Sequence, residues 1–242
     1  MRILVTGNMG YVGSVLYGHL RKAFPSAELW GFDNGYFAHC LTNALYLPEC
    51  DIDRQIFGDM RTFPYEILDQ VDVLVQLGAI SNDPMGNRYE QLTESINEHA
   101  SKAIAREAKR RGVEHFIFAS SCSMYGQATG GARKETDSLN PLTAYARSKV
   151  AMEKELQVLA DPGFTVTSLR FSTACGMSPR LRLDLVVNDF VASAVATGKI
   201  TVLSDGTPWR PLVHVKDMSR AIVWGIGRPQ ENGGAFLAVN VG

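Results

Sequence analysis

The stretch RILVTGNMGYVG, residues 2–13, decides the fold of this chain. Residues 2–6 form a short apolar run that predicts a buried strand, and residues 11–24 predict a helix directly after it. Between them, a GxxGxxG spacing permits a tight turn, close approach of a phosphate and close packing of helix on strand. Free N–H groups at the helix start then bind phosphate. Simple turn glycines are the alternative interpretation.

Strands and helices alternate along most of the chain, which predicts an α/β Rossmann fold, a doubly wound parallel sheet with helices on both faces. Further strands are predicted at residues 28–32, 71–77, 114–120 and 165–171, and helices at 89–111 and 143–159. Later segments are less regular: helices at 185–197 and 216–226, and strands at 200–203, 213–215 and 236–242. We expect a dinucleotide-binding Rossmann domain with the catalytic residues over residues 1–171. Residues 172–242 are expected to form a small, incomplete substrate-binding region, with some segments returning to the sheet.

The composition is that of an ordinary globular protein, with 242 residues, 45% hydrophobic and 20% charged, and a net charge of −1. This charge balance gives no reason to expect a nucleic-acid surface, and no apolar run approaches the roughly 20 residues that a membrane span needs. The four cysteines form no CxxC pair, and no zinc-type spacing predicts a metal site. Because the first strand begins at residue 2, no signal peptide is expected, and a reducing, cytoplasmic setting is predicted.

The second predicted strand runs up to Asp33, 20 residues beyond Gly13 (33 − 13). A carboxylate at this place hydrogen-bonds the adenosine ribose hydroxyls and repels a 2′-phosphate, which favours NAD over NADP. A helix or turn cap is the alternative. The stretch Gly58-Asp59-Met60 ends a further predicted strand, and Asp59 is a candidate acceptor for the adenine amino group or a strand-end cap. Small residues after the 71–77 strand, Gly78 and Ala79, let a dinucleotide lie across the sheet edge.

Tyr145 and Lys149 form a YxxxK sequence on a predicted helix, and their i, i+4 spacing places them on one face. A tyrosine base near neutral pH needs its pKa of about 10 lowered by roughly three units, or about 4 kcal/mol. One ammonium about 4 Å away supplies energy of that order at an effective dielectric of 20. Serines at the end of the 114–120 strand can donate to and accept from a sugar oxygen. Surface charge and a small-residue turn are the alternatives.

Taken together, these motifs resemble the extended short-chain dehydrogenases/reductases, in particular the NAD-dependent epimerase/dehydratase family. The quoted stretches are TGNMGYVG, FDN at Asp33, GDMRT, LGAISNDP, ASSCSMYG, YARSK, LRFSTACG and RPLVHVKD. The resemblance implies NAD as cofactor, a nucleotide-diphosphate sugar as substrate, and a homodimer built on the helices at 89–111 and 143–159. It implies that Ser121, Tyr145 and Lys149 are catalytic, and that Lys149 also binds the nicotinamide ribose.

The binding residues predicted from motifs and resemblance fall into two sets. The cofactor set is Gly7, Asn8, Met9, Gly10, Tyr11, Val12, Gly13, Asp33, Asn34, Asp59, Met60, Leu77, Gly78, Ala79, Asn97, Tyr145 and Lys149. The substrate set is Ser81, Ser123, Thr173, Arg182, Asn188 and Arg210. Arg210 is expected on the substrate diphosphate, with a cation–π contact to the adjacent Trp209 as the alternative. Thr173 replaces an asparagine that often touches substrate in the family.

Family members that dehydrate or decarboxylate the sugar usually carry an acid just after the catalytic serine or threonine. Cys122 and Ser123 occupy those places here, which favours an NAD-dependent nucleotide-sugar 4-epimerase acting through a transient 4-keto sugar. A nucleotide-4-keto-sugar reductase is the first alternative. A non-catalytic NAD-sensing module and a dehydrogenase of small ketones or alcohols are the others. The family usually continues beyond the last strand, so we expect either a fragment or a short variant.

Overall fold

The computed structural model describes residues 1–81, 88–127, 131–207 and 209–242, so Asn82, Asp83 and Pro84 of the quoted LGAISNDP stretch lie outside it. The strands are β1 (Arg2–Thr6), β2 (Glu28–Asp33), β3 (Arg54–Phe57), β4 (Val73–Gln76), β5 (His115–Ser121), β6 (Thr165–Phe171), β7 (Thr173–Cys175), β8 (Leu212–His214) and β9 (Phe236–Val241). In the described chain, seven of them form one parallel sheet in the order β3-β2-β1-β4-β5-β6-β9, and β7 pairs with β8. The predicted Rossmann sheet is confirmed.

The helices are α1 (Gly13–Ala23), α2 (α-helical at Glu90–Thr93 and Ser101–Arg110, with a π-helical segment at Glu94–Ala100 between them), α3 (Ala144–Leu159), α4 (Val186–Thr197) and α5 (Val215–Ile226). Side chains of α2 and α3 pack on one face of the sheet, and those of α1 and α5 pack on the other. Thr143 caps α3 by accepting the N–H of Ala146 at 3.1 Å. This capping bond starts the helix at Ala144, one residue before Tyr145.

The central strands are buried on both faces, which explains their continuous apolar runs. Leu4, Leu74 and Phe116 face α2 and α3, while the alternate residues Ile3 and Val75 face α1 and α5. Each such side chain contributes roughly 1.5–3 kcal/mol on burial. Because all seven strands are parallel, their carboxyl ends meet at one edge of the sheet. The strand order reverses between β1 and β4, and ligands of such sheets bind at this edge.

One local expectation was wrong. Residues 200–203 form no strand: Val202 is 53% exposed and Leu203 97% exposed, and no neighbouring strand in the described chain offers backbone partners. The helix predicted at residues 89–111 is confirmed over Glu90–Arg110, with a π-helical segment at Glu94–Ala100 that was not predicted. β7 was not predicted, since three residues directly after β6 give no separate pattern. The division between residues 1–171 and 172–242 stays a prediction. Within residues 172–242, α5 packs on the seven-stranded sheet and β9 is one of its strands, while β7 and β8 form a separate pair.

No helix in the portions that the structure describes is both long enough and apolar enough to cross a membrane.

Candidate active site

The glycine loop is closed tightly against the end of β4. Gly7 has a φ of +71°, its N–H donates to the Phe32 carbonyl at 2.8 Å, and a Cβ there would lie 2.6 Å from the nitrogen of Gly78. A Cβ on Gly13 would lie 2.3 Å from the Asn8 carbonyl oxygen. No side chain caps α1. The N–H groups of Ser14 and Val15 donate to the carbonyls of Gly10 and Val12, so an anion would be bound by N–H groups of the turn just before the helix. This cradle fits the pyrophosphate of a dinucleotide.

Asp33 braces that loop. One carboxylate oxygen accepts the N–H of Met9 at 3.0 Å and the other accepts the N–H of Gly35 at 2.8 Å. Burial raises the pKa of Asp33, and these two hydrogen bonds oppose the increase. Each carboxylate oxygen has a further lone pair, so Asp33 can still accept from ribose hydroxyls. Asn34 accepts from the N–H of Tyr36, which shapes the turn after β2.

The side chains of two other predicted cofactor residues, Asp59 and Asn97, form hydrogen bonds with backbone groups. Asp59 caps a short turn by accepting the N–H of Arg61, and it pairs with the Arg61 guanidinium at 2.5 Å, which lowers the pKa of the Asp59 carboxyl. This is the cap interpretation, and an adenine contact stays a prediction. Asn97, in the π-helical segment, both accepts from and donates to the backbone of Ile80 at 2.8 Å. Asn97 therefore anchors the loop that contains Leu77, Gly78 and Ala79.

The neighbours of Gly78 leave little room for a side chain. A Cβ at Gly78 would lie 3.2 Å from the sulfur of Met60 and 3.3 Å from the hydroxyl of Thr6. Met60 is therefore beside the ends of β1 and β4, as expected of a cofactor-site residue. Asn8 is another predicted cofactor residue. Its side-chain amide bonds within the protein, with Nδ2 donating to Oε1 of Gln55 at 2.7 Å.

The predicted catalytic residues lie at the end of β5 and on the adjoining turn of α3. Ser121 ends β5, and its hydroxyl accepts the N–H of Ser123 at 3.1 Å. Lys149 donates to the carbonyl of Ala119 at 2.6 Å, and its amine lies 5.4 Å from the centre of the Tyr145 ring. The amine of Lys149 is thus next to both the strand end and the tyrosine.

Burial lowers the pKa of Lys149. The side chain is 4% exposed, and desolvation lowers the pKa of Lys149 from 10.5 to about 7, with Glu153 acting in the opposite direction. The amine also lies 4.7 Å from the Phe118 ring centre, a cation–π distance. A buried amine that titrates near neutrality beside a phenol is typical of acid–base chemistry.

A buried polar network under the site was not predicted. Arg170 of β6 pairs with Glu153 of α3 at 2.7 Å and donates to the hydroxyl of Tyr125 at 2.8 Å. Tyr125 donates in turn to Asn240 of β9 at 2.7 Å. The network joins the turn Cys122–Tyr125 to the outer strand. An arginine inside the apolar LRF of β6 was its only sequence signal.

The structure brings some of the predicted substrate-binding residues together and places others apart. The guanidinium of Arg182 donates to the Ser81 hydroxyl at 2.8 Å and pairs with Asp184 at 2.6 Å, which brings two predicted residues together. Thr173 lies in β7, where its N–H donates to the carbonyl of Pro211. Arg210 is exposed. The described structure shows no cation–π contact between Arg210 and Trp209, and Trp209 is 99% exposed.

Two hydroxyls at the end of β5 have no hydrogen-bond partner within the described chain: the side-chain oxygens of Ser120 and Ser123 are buried and unsatisfied. Buried polar atoms are rarely left so. Ser123, predicted to bind substrate, therefore retains its hydroxyl for a ligand or a water molecule.

A family model described as the NAD dependent epimerase/dehydratase family matches residues 3–242. The chain belongs to this family. A Bacillus subtilis relative named as an uncharacterized UDP-glucose epimerase is 28% identical over 254 residues, covering 100% of this chain and 77% of the relative. UDP-glucose 4-epimerase of Neisseria gonorrhoeae is 25% identical over 260 residues, covering 90% and 71%. The solved structure of MoeE5 in complex with UDP-glucose and NAD superposes with a TM-score of 0.83 at 27% identity, covering 100% and 76%.

Membership of the epimerase/dehydratase family makes the chain an NAD-dependent enzyme and agrees with the cradle at Gly7, the acid at Asp33 and the pair Tyr145–Lys149. The family name covers two reactions, so membership alone does not choose between them. Which residues touch cofactor and substrate is a matter of local chemistry, and the site residues remain predictions.

Proposed function

We propose that the chain is a nucleotide-sugar 4-epimerase that acts through a transient 4-keto sugar. One observation carries the proposal: the buried amine of Lys149 lies against the Tyr145 ring at the carboxyl end of β5. The glycine loop opens at the same edge of the sheet. UDP-glucose in the MoeE5 complex and the 4-epimerase activity of the Neisseria relative support a UDP-sugar as the substrate class.

In this proposal the loop from Gly7 to Gly13 and Asp33 would hold NAD, which when bound would supply the acceptor, and later the donor, of the C4 hydride. Tyr145, as phenolate, takes the proton of the C4 hydroxyl while the C4–H bond breaks, which leaves a ketone. The charged amine of Lys149 stabilises that phenolate electrostatically. Ser121 donates a hydrogen bond to the C4 oxygen. After the ketone turns over in the cleft and is reduced on its other face, Tyr145 returns its proton to the C4 oxygen.

Dehydration is disfavoured at this site because it needs a further acid or base to remove the C5 proton and to expel a hydroxyl. Cys122 follows Ser121, and burial raises the pKa of its thiol, so that it is a poor base. Its sulfur donates to the Arg170 carbonyl at 3.1 Å. Ser123 has a neutral hydroxyl. Neither side chain supplies the carboxylate that elimination requires.

The test is turnover without added cofactor. The purified protein is incubated with UDP-glucose, UDP-galactose, UDP-N-acetylglucosamine and dTDP-glucose, and the sugars are identified by NMR. We expect interconversion of one C4 epimer pair with no net consumption of NAD. A requirement for stoichiometric NADH or NADPH would identify a 4-keto-sugar reductase, and accumulation of a 4-keto-6-deoxy sugar would identify a dehydratase. Absence of turnover with bound NAD present would favour an NAD-sensing module.

We also propose a homodimer in which α2 and α3 pack against their copies. A shallow groove along this surface has a mixed lining, with Val158 83% exposed. Its apolar residues are Pro141, Val150, Ala151 and Val158, and its charged residues are Lys102, Arg147, Lys154 and Glu155. Sedimentation should give a dimer for the wild type and a monomer for Val158→Glu. Val195→Glu, on α4 at a position 84% exposed, is the matched control and should leave the dimer intact. A monomeric wild-type protein would contradict the proposal.

A cytoplasmic setting is the last part of the proposal. All four cysteines are unpaired, and Cys50 is exposed. Free thiols of this kind fit a reducing compartment. Titration of the unfolded protein, as isolated, should find four thiols, and a disulfide would speak against this setting.

A further inference from the structure

One tyrosine of the glycine loop reaches across to the substrate-side segment. The hydroxyl of Tyr11 donates to the Gly176 carbonyl at 2.7 Å, and the Tyr11 carbonyl accepts from the hydroxyl of Ser178 at 2.7 Å. Tyr11 is only 6% exposed. Tyr11 therefore fastens the loop that cradles phosphate to a segment 165 positions further along the chain. Arg180 of that segment adds a second link, by donating to the hydroxyl of Ser14 at 3.0 Å.

Asn188 of α4 completes the connection. Its Oδ1 accepts the N–H of Gly176 at 2.9 Å, and its Nδ2 donates to the Arg182 carbonyl at 3.0 Å and to the Tyr11 hydroxyl at 3.4 Å. The side chain is buried. One amide thus holds both ends of residues 176–182 and also the tyrosine. Asn188 was expected to touch substrate, but the chain itself occupies both ends of its amide.

Arg182 is the residue that this arrangement positions. Its backbone is held by Asn188, and its guanidinium extends to Ser81, just beyond the end of β4. The same stretch after β4 includes Gly78, which abuts Gly7 of the glycine loop. The Arg182 side chain is one-quarter exposed. Asp184 accepts from its Nε and from one N–H of Nη2, so the remaining Nη N–H groups are the ones accessible to an anion. Arginine binds phosphate oxygens in a bidentate manner.

We propose that Tyr11 and Asn188 are positioning residues that couple the glycine loop to Arg182, and so set the affinity of the cleft for a nucleoside diphosphate. The inference rests on the proposed function in that the substrate must carry such a group. Neither residue contacts the diphosphate in this proposal: both act through the backbone of residues 176–182. Because coupling between two parts of a protein is reciprocal, a change at the loop alters binding at Arg182.

A double-mutant cycle tests the coupling. UDP binding to the purified protein is measured by calorimetry for the wild type, Tyr11→Phe, Arg182→Ala and the double variant. We expect Tyr11→Phe to weaken UDP binding about fivefold to tenfold in the wild-type background, and by less than about twofold once Arg182 is absent. In parallel, hydrogen exchange at the Gly176 amide should be faster in Tyr11→Phe, since the Asn188 contact loosens.

Tyr17→Phe is the matched control. Tyr17 is also buried, lies on α1 just beyond the loop, and donates its hydroxyl to the Trp30 carbonyl at 3.0 Å, far from residues 176–182. Both variants lose one buried hydroxyl that donates to a carbonyl, so their melting temperatures should fall by similar amounts. Only Tyr11→Phe should change UDP binding. Equal effects of the two variants on UDP affinity would make Tyr11 merely structural and overturn the inference.

Other results of the double-mutant cycle also test the coupling between Tyr11 and Arg182. Full additivity of Tyr11→Phe and Arg182→Ala would overturn the coupling, and so would a wild-type protein that does not bind UDP. If Tyr11→Phe does not fold, Asn188→Ala takes its place in the cycle, with the same expected loss. A protein that binds UDP but epimerises no sugar refutes the proposed function, while the cycle still measures the coupling.

Discussion

At the scale of single residues, the charge state of Lys149 determines much of what the site can do. Its amine is desolvated, hydrogen-bonded to the carbonyl of Ala119, and positioned beside the Tyr145 ring. Burial moves its pKa to about 7, so the amine changes charge within the physiological range. A buried charge of this kind is unfavourable for folding and is tolerated where the chemistry requires it.

Lys149→Met should therefore abolish turnover and raise stability. In the unfolded chain the pKa of Lys149 is 10.5, and in the folded protein it is about 7. The folded state thus bears the full penalty below pH 7, and the penalty fades as pH rises from about 7 toward 10.5. We expect the variant to gain roughly 1–3 kcal/mol at pH 6, after loss of the bond to Ala119, and less at pH 9. Urea unfolding at both pH values measures this, and an equal gain at the two would contradict it.

Tyr145→Phe should lower kcat by about 10²- to 10⁴-fold, because the variant loses the group that accepts the C4 hydroxyl proton. KM for the nucleotide sugar should change little, since the ring remains. Steady-state kinetics with the epimer pair found active, and mass spectrometry of bound nicotinamide cofactor, provide the measurement. Loss of cofactor together with activity would instead indicate a binding role for Tyr145.

At the scale of elements, the glycine loop is shaped by contacts that leave no room for a side chain. Gly7 combines a positive φ with a close approach to Gly78, so the loop conformation depends on two glycines from different strand ends. The spacing GxxGxxG predicted this cradle. The contact with Gly78 could be expected only once β1 and β4 were known to be neighbours.

Gly7→Ala should disrupt this element. A Cβ at Gly7 would lie 2.6 Å from backbone nitrogen, and the backbone conformation is strained for any side chain. We expect a clear loss of thermal stability and of bound NAD. Gly18→Ala is the control: Gly18 is exposed on α1 with no atom within 4 Å of an added Cβ, and alanine should stabilise the helix by up to about 1 kcal/mol. Differential scanning calorimetry compares them, and similar melting temperatures would refute the argument.

Helix and strand boundaries were predicted to within a few residues wherever periodicity and capping agreed. β1 and β6 match the sequence prediction, and α3 begins directly after its Thr143 cap. The π-helical segment around Asn97 could not be predicted, because it depends on that side chain reaching Ile80 in another element. The false strand at residues 200–203 arose from apolar residues whose partners are not set by local sequence.

At the scale of the whole molecule, a buried ion pair links the sheet, a helix and the turn Cys122–Tyr125. Arg170 and Glu153 join β6 to α3, and Tyr125 extends the network to Asn240 on β9. The closeness of Lys149 to Tyr145 was predictable from the YxxxK spacing, while Ser121 was named from the family resemblance. This supporting network was not predictable, since its members lie in four separate segments that only the tertiary fold brings together.

Arg170→Met should destabilise the protein by about 3–5 kcal/mol, because it leaves the carboxylate of Glu153 buried without its partner. The double variant Arg170→Met with Glu153→Met should recover much of that loss, since no uncompensated charge remains. Chemical unfolding of both variants and of Glu153→Met closes the cycle. A double variant as unstable as the sum of the singles would mean that the pair contributes through packing alone.

The outer strand β9 pairs with β6, and the paired residues Val166 and Phe236 are 70 positions apart in the sequence. While the ribosome is still making the intervening stretch, β6 has one edge unmatched, and Tyr125 lacks the amide that its hydroxyl will meet. The turn Cys122–Tyr125 therefore reaches its final form only after β9 has been made. Until then the nascent polypeptide carries an open, apolar strand edge of the kind that chaperones shield from aggregation.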